Sequence, residues 1–407
     1  MSRLPQLIAA CVLMLGIGPH ALAQSPIANI SSEAKSQVLD EARASGIKKI
    51  LNRQDRLLKQ EQTSLFGKKS AEAKSRLYII VQTRENIASA NQLIDGRPPT
   101  SPDKIVTGLE TILKTMRPTY GICSGAPILN GQIKDPDAWK NAIDQVSSPI
   151  AAVARSVGVI FTYKNEQAVV GQPGATVFVV GKSHVMTNRH VIQEYAYIDG
   201  SGKWHMKNDK LVLRVSFPWE YSKCLSRTTP RNVRIVAIED VGNLDDKYAD
   251  FAILRTEDNA LPPPAPLADT YDLGEQDRVA VIGYPAPPLM CGTASGGKLC
   301  TSLNSEQIKA VFGLPDQSVP FSVERFAPGY VIPGPMLDES QFAYDSSTWE
   351  GNSGSPVIRL SDGKVVGLHF GGDSESNDDD SSMIGIANYA IKVQRIRQAL
   401  LKVNVTQ

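Results

Sequence analysis

Three strings in this sequence set reactive side chains against apolar runs. They are Val185-Met186-Thr187-Asn188-Arg189-His190-Val191, Ala249-Asp250-Phe251-Ala252-Ile253-Leu254 and Gly351-Asn352-Ser353-Gly354-Ser355-Pro356-Val357. A serine hydroxyl becomes an effective nucleophile when a neighbouring imidazole accepts its proton. That imidazole needs a carboxylate to fix its tautomer and stabilise its charged form. His190, Asp250 and Ser353 supply the three groups, in that chain order. Asp240, Asp245 and Asp246 compete with Asp250, which alone directly precedes the apolar Phe-Ala-Ile-Leu run. Ser355 is the rival of Ser353.

Such groups need a rigid frame. From about Ser147 the chain reads as short runs dense in Val and Ile, separated by Gly, Pro, Asn and Asp; SVGVIFTY, ATVFVVGKSHVMTN, DFAILRT, DRVAVIGYP and GKVVGLHF are examples. Evenly spaced short strands without long intervening helices predict a mainly β fold, an antiparallel sandwich or barrel pair. Residues 24–115 differ. They are rich in Ala, Leu, Lys, Glu and Gln, with apolar residues three and four apart, which predicts helices. No reactive cluster falls there. The stretch reads as a helical pro-segment or accessory domain, with a partner-binding arm as the alternative. Residues 1–23 read as an export signal: Arg3, an apolar run, then Ala21-Leu22-Ala23 before Gln24. The apolar run is shorter than the ~20 residues of a membrane span. A lipoprotein signal ending at Cys11 would leave almost no apolar stretch ahead of it.

The order His190, Asp250, Ser353 on an all-β segment resembles the chymotrypsin-fold serine proteases. Within them the strings are most similar to the glutamyl endopeptidase branch and its exported trypsin-like relatives. That branch reads TN-x-HV at the histidine, DFA or DLA at the aspartate, and YD-x-ST-x-x-GNSGSPV at the serine. Here the last string is Tyr344-Asp345-Ser346-Ser347-Thr348-Trp349-Glu350 followed by Gly351 to Val357. The resemblance covers roughly residues 147–401. It implies two antiparallel six-stranded β-barrels and a Ser-His-Asp endopeptidase acting on protein or peptide substrates, with no metal and no cofactor. It also implies oxyanion donors at the N–H groups of Gly351 and Ser353, whose turn the glycines leave free to adopt unusual backbone angles. His369, in Gly367-Leu368-His369-Phe370-Gly371-Gly372, and Thr348 fall where the branch receives a glutamate side chain. Protonation of His369 would then shift substrate affinity. The branch also uses the freed amine of its mature N-terminus, which here would require removal of more than a hundred residues.

Charge and cysteines narrow the reading. Lys and Arg total 43 against 42 for Asp and Glu, so no net basic charge favours nucleic acid. An exported compartment permits disulfides. Cys291 and Cys300 bracket a Gly-rich loop and form the best pair, with Cys123–Cys224 as the remaining one. The acidic run 373–380 reads as a solvated hairpin tip, with a Ca2+ site of oxygen ligands as the alternative. The expected organisation is a signal at 1–23, a helical segment at 24–146 that would inhibit the site intramolecularly, and a protease domain at 147–407. The product is a secreted or periplasmic serine endopeptidase without a membrane span. A retired protease fold used for binding, and a helical binding module carrying a protease, are the alternatives.

Overall fold

The computed structural model describes most of residues 32–406; the longer stretches outside the description are 110–116, 129–135, 218–230, 292–297, 300–322, 333–338 and 373–386. The expected signal, Cys11, Cys224, Cys300 and the acidic run therefore lie outside the described residues.

Three helices open the description: α1 (Ser32–Ala44), α2 (Ile47–Leu65) and α3 (Ala71–Ile94). Ile47, Leu51 and Leu58 fall on one stripe of α2 and are fully buried against Ile80, Ile87 and Ala90 of α3. Gly67 and Gly96 take φ of +85° and +73° just beyond α2 and α3, a left-handed conformation that ends a helix without strain at glycine. Polar ties join these helices: Arg84 pairs with Asp55 at 2.8 Å, and Arg43 Nε donates to the Ile94 carbonyl at 2.8 Å. No helix among the described residues is long and apolar enough to cross a membrane.

Two short strands, β1 (Tyr120–Cys123) and β2 (Ala126–Pro127), and two helices, α4 (Pro136–Gln145) and α5 (Ser147–Ser156), lead into the first barrel. Its strands are β3 (Val157–Lys164), β5 (Thr176–Gly181), β6 (His184–Thr187), β9 (Leu211–Phe217), β10 (Arg231–Val241) and β11 (Ala252–Thr256), with β4 (Ala168–Val169) appended to β3. A short helix α6 (Arg189–Tyr195) and the hairpin β7 (Ala196–Ile198) and β8 (Trp204–Met206) interrupt the run. The sheet order is β3-β5-β6-β11-β10-β9, and β9 pairs back on β3 to close it.

The second barrel contains β12 (Arg278–Gly283), β15 (Arg325–Ile332), β16 (Gln341–Tyr344), β17 (Pro356–Arg359), β18 (Val365–Gly372) and β19 (Asn388–Lys392). A hairpin of β13 (Met290–Cys291) and β14 (Lys298–Leu299) lies between β12 and β15. The order β12-β17-β18-β19-β16-β15 closes through β12–β15. The fold is thus mainly β, with two closed six-stranded antiparallel barrels and helices in the N-terminal region. The final helix, α7 (Val393–Lys402), packs on the second barrel through Val393, Ile396 and Leu400. Its charges reach the first barrel: Arg395 pairs with Asp246 at 3.0 Å and Lys402 with Asp240 at 2.7 Å.

Side-chain alternation explains why strand β5, Thr-Val-Phe-Val-Val-Gly, is buried along its whole length. Val177 and Val179 face the interior of the first barrel, while Phe178 and Val180 join the cluster shared with the second. Val185 and Met186 of β6, and Leu254 and Ile253 of β11, divide in the same way. Continuous hydrophobic strands here mean that both faces are covered.

One boundary differs from the sequence reading, which runs the helical segment to residue 146. Strand β1 pairs with β15 (Tyr120↔Phe326), adding an edge to the second barrel's sheet, and Trp139, Ile143, Val146 and Ile150 lie in the barrel core. Arg117 forms a buried ion pair with Asp345 at 2.8 Å, its side chain 9% and the acid's 7% exposed. The guanidinium also lies 5.0 Å from the Tyr330 ring and 5.7 Å from that of Trp139. Periodicity sees only near neighbours along the chain, and these partners lie about two hundred residues away. Cys123 is disulfide-bonded, and the other four cysteines fall outside the side chains described, so the expected Cys291–Cys300 pair lies outside them too.

Candidate active site

Strand β6 ends at Thr187, and Asn188, in extended conformation, turns the chain into α6 with His190 as its second residue. A carboxylate meets His190 at two points. Asp250 Oδ1 accepts from the His190 backbone N–H at 2.9 Å, and Oδ2 lies 2.6 Å from ring Nδ1. The imidazole remains 42% exposed while the aspartate side chain is only 12% exposed. This leaves Nε2 as the outward-facing nitrogen, with the carboxylate holding the ring from behind.

Two residues that the sequence reading quoted without a role complete this support. Asn188 Nδ2 donates to the Asp250 carbonyl at 2.8 Å. Arg189, 8% exposed, donates to the carbonyls of Gly242 and Asp246, tying down the loop that leads to Asp250. The rival acids are engaged elsewhere: Asp240 with Lys402 and Asp246 with Arg395. Asp245 lies outside the described residues.

The serine turn sits between β16 and β17. Gly351 and Gly354 have φ of +86° and +89°, which L side chains avoid. Gly354 is further constrained by packing, because a Cβ there would lie 2.1 Å from the Thr176 carbonyl oxygen and 2.3 Å from Thr187 Oγ1. Only glycine lets the turn approach the end of β6, three residues ahead of His190. Between these glycines Ser353 is half-buried, whereas Ser355 is fully buried and has no hydrogen-bond partner for its hydroxyl among the described residues. A substrate can therefore reach Ser353 and not Ser355.

His369 lies on β18 directly behind this turn. Its carbonyl accepts from the Gly354 N–H at 3.1 Å, and its own N–H donates to the Ser355 carbonyl at 2.9 Å. The imidazole is 3% exposed, and its Nδ1 lies 2.6 Å from the Tyr344 hydroxyl. Burial pushes His369 down to about 3, the nearby His190 adds to that shift, and a hydrogen bond to the Tyr389 backbone opposes it. Burial likewise raises the Tyr344 hydroxyl well above its ordinary value. The pair is therefore neutral, with Tyr344 OH donating to Nδ1 and the ring proton on Nε2. An affinity that varies as His369 protonates near neutral pH does not fit this environment, because desolvation keeps the ring neutral throughout that range. Thr348 hydrogen-bonds to Asn388 Oδ1, which places its hydroxyl beside the start of β19, the strand paired with β18. His205, on the β7–β8 hairpin, pairs with Asp199 at 2.6 Å and has no part in this cluster.

No group of three or more His, Cys, Asp or Glu among the described residues is arranged to hold a metal ion. Residues 175–368 match the family model for the trypsin-like peptidase domain. The matched stretch runs from the start of β5 into β18 and contains His190, Asp250 and Ser353.

Proposed function

We propose that this protein is an exported serine endopeptidase. The observation that carries the reading is the two-point grip of Asp250 on His190, beside a glycine-framed turn that presents Ser353. In the proposed reaction the Ser353 oxygen attacks the substrate carbonyl while His190 takes the hydroxyl proton. The Gly351 and Ser353 N–H groups receive the oxyanion. His190 then returns the proton to the leaving amine, and water releases the acyl group by the reverse sequence. The similarity of residues 175–368 to trypsin-like peptidase domains supports a protein or peptide substrate. Export rests on the signal-like residues 1–23, and secretion or a periplasmic location follows from it.

Labelling by a serine-directed phosphonate tests the chemistry. Wild type is expected to label and Ser353→Ala to remain unlabelled. A folded wild type that does not label would show a retired site.

The finer reading is a preference for glutamate before the scissile bond, in a pocket to which His369 and Thr348 belong and where each would have to exchange its bond to Tyr389 or Asn388 for one to the carboxylate. A neutral His369 would select by hydrogen bonding and not by charge, so the preference should hold between pH 5 and 8. A peptide library cleaved by wild type and by His369→Ala tests it. Absence of glutamate enrichment with wild type removes the assignment.

A further inference from the structure

The nucleophile and its base belong to different barrels. Ser353 precedes β17 of the second barrel, while His190 and Asp250 follow β6 and precede β11 of the first. Catalysis by this arrangement needs sub-ångström alignment, so some element must fix one barrel's turn against the other's strand. One fully buried residue at the start of β5 does so. The Thr176 N–H donates to the Ser353 carbonyl at 3.0 Å, and its hydroxyl donates to the Gly351 carbonyl at 2.7 Å. These bonds grip the peptide units on both sides of Asn352–Ser353. The same hydroxyl accepts from the Tyr284 N–H at 3.0 Å, where β12 of the second barrel ends. The Thr176 carbonyl accepts from Thr187 Oγ1 at 2.8 Å, at the last residue of β6 before the turn to His190.

We propose that Thr176 is a positioning residue that registers the serine turn against the histidine strand across the barrel interface. The proposal rests on the serine endopeptidase reading. Every hydrogen-bonding group of Thr176 is used, and each bond leads to one of the two catalytic segments or to the strand end beside them. Valine has nearly the same shape and cannot supply the hydroxyl, so it would leave the Gly351 carbonyl and the Tyr284 N–H unpaired in a dry site. The turn would then relax and shift the nucleophile. Serine keeps the hydroxyl and removes only a methyl group.

The test compares Thr176→Val, Thr176→Ser and Ser156→Ala in the full chain, by phosphonate labelling rate, kcat and KM on a peptide, and melting temperature. Ser156 is the control: it is a fully buried hydroxyl that donates to the Val153 carbonyl at 2.6 Å, outside the site. Thr176→Val is expected to lower kcat and the labelling rate by about 100-fold with KM nearly unchanged. Thr176→Ser and Ser156→Ala should stay within about threefold of wild type. If Thr176→Val does not fold, Thr187→Val, which removes the link to the histidine strand alone, should still slow labelling by about tenfold. Labelling of Thr176→Val, or of Thr187→Val in its place, as fast as that of Ser156→Ala overturns the proposal. Wild type that fails to label overturns the endopeptidase reading itself, a result separable from the first.

Discussion

The segment before the first barrel contains two regions built from similar residues and used in opposite ways. Helices α1 to α3 bury their apolar stripe against one another, and Arg84 pairs with Asp55 within the same region. The stretch from Arg117 through α5 contributes Tyr120, Ile122, Trp139 and Ile150 to the barrel core, and a buried cation to Asp345. Helix propensity is common to both. Where the hydrophobic stripe is buried distinguishes them: the stretch from residue 117 packs with the barrels, and α1 to α3 pack with one another.

Truncation tests that contrast most strongly. A chain beginning at residue 101 is expected to fold and to label with phosphonate, while one beginning at residue 147 should show no cooperative thermal transition. If the shorter chain melts normally, the boundary lies later. A gain in kcat/KM for the chain beginning at 101 would instead show that the helices inhibit the site.

Next in size is the buried ion pair. Asp345→Asn or Arg117→Met leaves one charge or polar partner uncompensated, and should cost about 3–5 kcal/mol in urea unfolding. The matching change in the helical region, Arg84→Met, breaks a partly exposed pair and should cost at most about 1 kcal/mol. Equal costs would erase the distinction between the two regions.

Paired core truncations sharpen it. Leu58→Ala and Ile150→Ala each remove a fully buried side chain, at about 2–5 kcal/mol of local stability. Only Ile150→Ala should lower the temperature at which phosphonate labelling is lost. At neutral pH the effect of His369 protonation vanishes, and it appears only as a pH slope. Its folded value near 3 lies below the ordinary 6.5, so the unfolded chain binds the extra proton between those values. Stability from this group is complete above about pH 6.5 and falls as pH drops towards 3, by at most about 1.4 kcal/mol per pH unit. Urea midpoints from pH 4 to 7 for wild type and His369→Phe should diverge only below 6.5.

The strands and the serine turn are legible because their signals are local, while the closure of the strands into two six-stranded barrels comes from the family resemblance. Short β-rich runs mark strands, and GNSGSP marks a turn that needs glycine. The choice of Ser353 over Ser355 rests on the Gly351–Gly354 turn, while the close approach of Gly283 to Ser355 is not visible in the sequence. Strand β1 is four residues long beside Ser124-Gly125, and nothing in its spacing points to a partner near Phe326. Thr176 was opaque for the same reason: its role lies in a bond to Gly351, which is 175 residues away. The burial of His369 beneath Tyr344 is likewise invisible in its residue type, which suggests a titrating group.

The last helix has a consequence for how the two barrels respond to solvent. Its apolar side chains pack in the core on the second barrel, and Arg395 and Lys402, both partly exposed, add ion pairs to Asp246 and Asp240 of the first. Screening shortens the reach of such charges to about 8 Å at physiological ionic strength and about 3 Å at 1 M. Salt therefore works as a selective loosener. It leaves each barrel's apolar interior intact while weakening the two ion pairs that join the helix to Asp240 at the end of β10 and to Asp246 beyond it, whereas the bonds of Arg189 and Asn188 to backbone carbonyls near Asp250 persist.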